Sequence, residues 1–182
     1  MNSGSRRLSL IASHLASNKS RQISTKTFRN RHDYTYFLPI QTRKTNRYLS
    51  NALIRWSDAD VYGHINNSIY YHYFDTVINE YLIKHCGLEP NHNNNTKPIG
   101  LVVASQANFY ASATYPNVIQ AGLCITKIGK SSVTYRIGIF EAENPLACVV
   151  GGFTHVFVDP ENRRPVQSLP KEFLEGMEKM LK

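Results

Sequence analysis

Apolar positions along this chain follow two different periods. In "SIYYHYFDTVINEYLIKHC" (68–86), Tyr70, Phe74, Val77, Ile78, Tyr81 and Leu82 recur at i, i+4, i+7, i+8, i+11 and i+12, which is one face of a helix. Gly87 directly follows the last turn and suits the left-handed residue that ends many helices. From Gly100 onward the pattern is that of strands. "GLVVASQANFYA", "NVIQAGLCITKIG", "SVTYRIGIFEA" and "PLACVVGGFTHVFVD" are rich in β-branched and aromatic residues. They are separated by turn signals at Tyr115-Pro116-Asn117, Gly129-Lys130 and Glu143-Asn144-Pro145. Ahead of the helix, "YTYFLPIQTR" (34–43) reads as a first strand and "IRWSD" (54–58) as a second, short one. "EPNHNNNTKP" (89–98) is a polar loop, and "LPKEFLEGMEKML" (169–181) closes the chain as a short helix.

Strands segregated from a single long helix predict an α+β domain with a curved, mainly antiparallel sheet of five to six strands. One helix can cover only one face of such a sheet. Runs such as "VVASQANFY" alternate imperfectly, as strands buried on both sides do, so a homodimer is expected.

Charge then divides the chain. The net charge is +8, but residues 1–50 hold ten Lys/Arg and one acid, Asp33, while residues 51–182 hold eleven Lys/Arg and twelve acids. The part with strand and helix patterns is nearly neutral, which argues against a nucleic-acid surface. The first 33 residues are rich in Ser and Arg, with Leu8, Ile11 and Leu15 at helical spacing. That composition reads as a mitochondrial transit peptide, with a basic arm retained on the protein as the other reading. Its apolar run is too short and polar for a membrane span. The expected organisation is a presequence over 1–33, a matrix destination, and one domain over 34–182. Cys86, Cys124 and Cys148 are scattered and odd in number, as in core thiols of a reducing compartment.

The candidate chemistry lies in "RWSDADVYGHINNSIYYHYFD" (55–75). Asp58 and Asp60 end an extended segment and are expected to point the same way until Gly63 turns the chain. Asn67 or Ser68 stands where a helix N-cap belongs. The first amides of a helix lack partners within it and carry the positive end of its dipole. A carboxylate aimed at such a helix start suits acyl-transfer hydrolysis, with the amides holding the developing oxyanion. Asp58 is read as a turn or cap acceptor. Asp58, Asp60, His64 and His72 match no familiar metal-ligand spacing.

This segment resembles the active-site region of hotdog-fold acyl-CoA thioesterases of the 4-hydroxybenzoyl-CoA thioesterase type, and also plant acyl-ACP thioesterases. Their pattern, W-x-D-x-D-x-x-G-H-x-N-N-x-x-Y-x-x-Y-F-[DE], is matched at Trp56, Asp58, Asp60, Gly63, His64, Asn66, Asn67, Tyr70, Tyr73, Phe74 and Asp75. The resemblance implies a hotdog fold, one long helix wrapped by the sheet, and hydrolysis of acyl-CoA to free acid and CoA without metal or cofactor. It implies Asp60 as nucleophile or general base, His64 as an orienting residue, and the backbone N–H near Asn67 as the carbonyl's polarising group. Tyr70 is close enough to the helix start to touch an acyl group. Sites between two subunits, in a dimer or a dimer of dimers, are implied as well. Lys130, Ser131 and Ser132 would then line the CoA channel of the partner. One departure stands out: "KTNRYLSNALIR" (44–55) separates Arg43 from Trp56, where relatives run directly from strand to motif. The rival functions are an enoyl-thioester hydratase on the same fold and a non-catalytic hotdog module for binding or assembly.

Overall fold

The computed structural model describes residues 28–40, 55–90, 97–117, 119–141 and 144–182. The presequence up to residue 27 and residues 44–54 of the extra segment lie outside them. Strand β1 (Tyr36–Ile40) is followed by helix α1 (Ile69–Cys86), strands β2 (Ile99–Phe109), β3 (Ile119–Ile128), β4 (Ser132–Glu141) and β5 (Val149–Val158), and helix α2 (Lys171–Glu178). The strands form one sheet in the order β1-β3-β4-β5-β2, with every neighbouring pair antiparallel. This is the expected α+β hotdog architecture, with five strands.

Helix α1 buries the face its periodicity predicts: Tyr70, Phe74, Val77, Ile78, Tyr81 and Leu82, with Tyr73 and Cys86 beside them. They pack on Ile125, Tyr135, Ile137, Phe153 and Phe157 of the sheet in one continuous core. Each buried side chain of this size contributes about 1.5–3 kcal/mol of apolar transfer. Gly87 ends the helix at φ 70°, and its N–H returns to the Leu82 carbonyl. Helix α2 closes the far end with Phe173 and Met177, and the Tyr81 hydroxyl donates to the Gly176 carbonyl at 2.8 Å.

The opposite sheet face has a different cover. Tyr34, Cys124, Phe140, Ala147 and Val150 form a second cluster with Phe28 against it. The Tyr34 hydroxyl donates to the Phe28 carbonyl at 2.5 Å, and its ring meets Phe140 edge-on at 5.5 Å. Arg31 N donates to the Pro145 carbonyl, and Ala147 N to the Arg29 carbonyl. Residues 28–33, assigned from sequence to the basic arm, thus belong to the folded body. Towards β2 the same face turns polar, with Thr134 and Thr154 sharing a hydrogen bond. The outer face is therefore served by the chain itself, and the expectation of a second subunit must rest elsewhere.

Strand β2 supplies that ground. Among the described residues it is the sheet edge and pairs only with β5, over eleven residues largely exposed on both faces. Leu101, Val102 and Val103 are 39 %, 49 % and 59 % exposed. An open, long, apolar edge is a template for another strand.

All three cysteines are buried thiols. Burial pushes the Cys86 and Cys148 thiols up to about 12, as suits core packing.

Candidate active site

The segment from Arg55 to Ser68 makes a tight hairpin, and its side chains sort by depth. "IRWSD", expected as a strand, is a 3-10 turn over Trp56–Asp58 instead. The cause is Asp58, whose Oδ2 accepts the Arg55 N–H at 2.7 Å and so favours a turn over extension. Asp58 is buried, and the Tyr73 hydroxyl donates to it at 3.3 Å. Burial, then the Asp58 carboxylate, raises the Tyr73 pKa and keeps its hydroxyl a donor. The turn also separates the two aspartates, which do not share a direction as an extended segment would have required.

Asp60 sits at the hairpin tip. Ala59 bridges Ile65, Asp60 N donates to the His64 carbonyl at 2.8 Å, and Gly63 N donates to the Asp60 carbonyl at 3.1 Å. Gly63 has φ 79°, a conformation that favours glycine. Asp60 Oδ1 accepts the N–H groups of Tyr62 (2.9 Å) and His64 (3.3 Å). Its Oδ2 has no protein partner among the described residues. His64 thus holds Asp60 through its backbone, and its exposed imidazole makes no hydrogen bond to the described residues.

The helix start is capped differently from expectation. Ser68 already has helical geometry (φ −68°, ψ −29°) and makes no side-chain cap. Asn66 does so from two residues earlier: its Oδ1 accepts Ser68 N at 3.0 Å and Ser68 Oγ at 2.8 Å, and its carbonyl accepts Ile69 N at 2.9 Å. The Asn67 N–H is left without an acceptor among the described residues.

Asp60, His64, Asn67 and Tyr70 meet in one cleft of about 280 Å³, closed by Ile65, Phe109, Tyr110, Ala111 and Ser112. Tyr70 is buried beneath it, its hydroxyl accepting Ala113 N at 3.2 Å and its ring edge-on to Phe109 at 5.6 Å. Burial pushes its hydroxyl up to about 12, so it remains neutral as a strut and apolar wall. Ile65 N donates to the Ala113 carbonyl and docks the hairpin on the β2–β3 connection. Phe109, Tyr110 and Ser112 were not foreseen from sequence, because they read as the end of an ordinary strand. Only the register of β2 brings them to Asp60.

Lys130, Ser131 and Ser132 do not join this cleft within the protomer. They form the β3–β4 turn, whose Ile128↔Val133 pair lies a strand length away from the Ile119↔Glu141 pair. That is roughly 30 Å at the usual rise of ~3.3 Å per residue. Their backbones brace Phe157 and Leu169. Among the described residues, no group of three or more His, Cys, Asp or Glu could hold a metal. No described helix is long and apolar enough to cross a membrane.

Residues 54–177 match the family model of the thioesterase-like superfamily. The PA5185 protein of Pseudomonas aeruginosa is 36 % identical in a solved structure covering 85 % of this chain and 96 % of its own, with a TM-score of 0.73. The 1,4-dihydroxy-2-naphthoyl-CoA thioesterase Slr0204 of Synechocystis shares the fold at 15 % identity (TM-score 0.64; coverage 78 % and 94 %). A Thermus thermophilus thioesterase complexed with coenzyme A and zinc does so at 16 % identity (TM-score 0.60; coverage 79 % and 98 %). Among curated proteins none matches.

Proposed function

The chain belongs to the thioesterase-like superfamily, and from that premise we propose that it hydrolyses acyl-CoA thioesters to a free acid and CoA at the Asp60 cleft. The observation that carries the reading is that two residues lining one cleft carry a carboxylate oxygen and a helix-start N–H without partners among the described residues. Two backbone amides hold Asp60 Oδ1 and leave Oδ2 available. Asn67 lines the same cleft, and in this reading its N–H receives the thioester oxygen as negative charge develops. Asp60 either attacks the carbonyl carbon, forming a mixed anhydride that water then cleaves to the free acid and the Asp60 carboxylate, or takes a proton from a water that attacks instead. The carbon–sulfur bond breaks, and sulfur leaves as the CoA thiol once protonated. Tyr70, Phe109 and Tyr110 give the acyl group an apolar wall.

The working unit in this proposal is a homodimer joined along β2. The edge of β2 is open, and the strand ends at Phe109 inside the cleft, so a second copy seated there would complete the site. The β3–β4 turn, remote within the protomer, is the part of the partner proposed to meet the CoA arm through Lys130, Ser131 and Ser132. The Ser- and Arg-rich first residues support delivery to the mitochondrial matrix.

The test is thiol release from short, long and aromatic acyl-CoAs by the full chain and by Asp60→Asn. A fall of at least 100-fold in kcat/KM with unchanged folding is expected. Equal turnover by both proteins would remove Asp60 from the reaction. No release from any substrate by a folded dimer would favour a binding module.

A further inference from the structure

The outer face of the sheet holds a charge that nothing in the described structure neutralises. Arg136 of β4 is half-buried there, and no carboxylate pairs with it among the described residues. Its Nη1 and Nη2 donate to the Gln106 side-chain oxygen (2.5 and 3.2 Å) with that amide oriented as its neighbours require. Its Nε is buried without an acceptor, and the Phe28 ring lies 5.8 Å away. Beside it opens a cavity of about 190 Å³, lined by Ser105, Gln106, Thr134, Arg136 and Thr154 with the backbone at Gly152. The Thr134 and Thr154 hydroxyls lie 3.1 Å apart, and whichever accepts retains a proton to give outward.

A guanidinium withdrawn from water without a counter-charge is costly, and its planar fork matches an oxyanion. The lining offers hydroxyl and amide donors and no carboxylate, which excludes a cation. The residues ahead of this face bring no anion either: no acid precedes Asp33, and β2, "IGLVVASQANF", contains none for a second copy to bring along that edge. Pairing along β2 would extend the sheet sideways and leave this face open.

We propose that Arg136, Thr134 and Thr154 form a site for a phosphate-type oxyanion on the outer sheet face, distinct from the Asp60 cleft. The phosphate is either free or part of the nucleotide end of the substrate. Only the second source rests on the acyl-CoA reading. Gln106 precedes the cleft residue Phe109 by three positions on the same strand, roughly 10 Å at ~3.3 Å per residue.

Binding to the full chain, measured by titration calorimetry and thermal shift in low-salt buffer with inorganic phosphate and with 3′,5′-ADP, tests this without turnover. Saturating ligand is expected to raise Tm by several degrees. Arg136→Gln should abolish the rise, and Thr134→Val/Thr154→Val should weaken binding at least ten-fold. The threonine pair decides the matter if Arg136→Gln fails to fold. Equal binding by wild type and the folded variants, or binding of neither ligand, would overturn the site. If 3′,5′-ADP binds at least ten-fold tighter than phosphate, the nucleotide is the source. Arg136→Gln should then raise KM for acyl-CoA but not for the matching N-acetylcysteamine thioester. Comparable binding of the two ligands assigns the site to free phosphate. A protein inactive on every thioester but retaining Arg136-dependent phosphate binding would sink the hydrolase reading and leave this one standing.

Discussion

The hairpin tip and the protein interior each hold an aspartate and a histidine, and the two pairs live under opposite rules. Asp58 and His155 are 8 % and 3 % exposed, whereas Asp60 and His64 face the cleft. Asp58 spends its carboxylate on Arg55 N and the Tyr73 hydroxyl, which makes it a structural acceptor. His155 lies on the sheet, sealed among Tyr135, Phe153 and Phe157. At the tip, backbone amides satisfy one carboxylate oxygen and leave the other free to meet a substrate. Residue type alone does not separate stability from chemistry here. Depth does: each aspartate engages two partners through one oxygen, but Asp58 is buried and Asp60 lines the cleft.

The largest expected effect is on the interior histidine. Burial holds His155 down to about 4, so the unfolded chain takes up a proton first as pH falls below 6.5. Stability contributed by neutral His155 should be present above pH 6.5 and lost progressively towards 4, on the order of 3 kcal/mol. Denaturant melts from pH 7 to 4 should show it, and His155→Leu should flatten that part of the profile. An unchanged slope in the variant would mean that other groups govern the acid side.

Next comes Asp60→Asn, whose expected 100-fold loss corresponds to about 2.7 kcal/mol of barrier. Its Tm should remain within a degree or two of wild type, because the amides at Oδ1 keep an acceptor. Asp58→Ala reverses the pattern. It strands a part-buried amide and a buried hydroxyl and should cost about 2 kcal/mol of stability by denaturant titration. Tyr73→Phe alone should cost about 1 kcal/mol, and the double variant less than the sum. A large catalytic defect in a fully stable Asp58→Ala would break the division between interior and tip. The smallest effect belongs to His64→Ala, since its contribution to Asp60 is a backbone N–H that alanine retains. Turnover should fall by less than about ten-fold, or about 1.4 kcal/mol. A deeper loss would bring the imidazole into the reaction.

Much of this was legible along the chain because it depends on near neighbours. The 3.6-residue period marked the α1 face, and Gly87 marked its end. Turn residues bounded β3, β4 and β5, and the motif from Trp56 to Asp75 placed Asp60, His64, Asn67 and Tyr70 within reach of one another. Their actual convergence in one cleft agrees with that local logic. What failed locally did so where one side chain competed for the backbone. Asp58 curled an expected strand into a 3-10 turn, and Asn66 displaced Ser68 as the helix cap.

Period, composition and short-range hydrogen bonding were enough to set the helix and strands, the near-neutral charge of the folded part, and the loop that carries the carboxylate. Which aspartate is buried and which is open was set by long-range packing, since burial depends on what α1 and the β2–β3 connection place above each one. The same packing brought Phe109, Tyr110 and Ser112 to the site and folded residues 28–33 onto the outer sheet face, and among the described residues it left β2 an open edge and Arg136 without a counter-charge. Those outcomes follow from strand order and register, which join residues far apart in the chain and leave no periodic trace within any one segment.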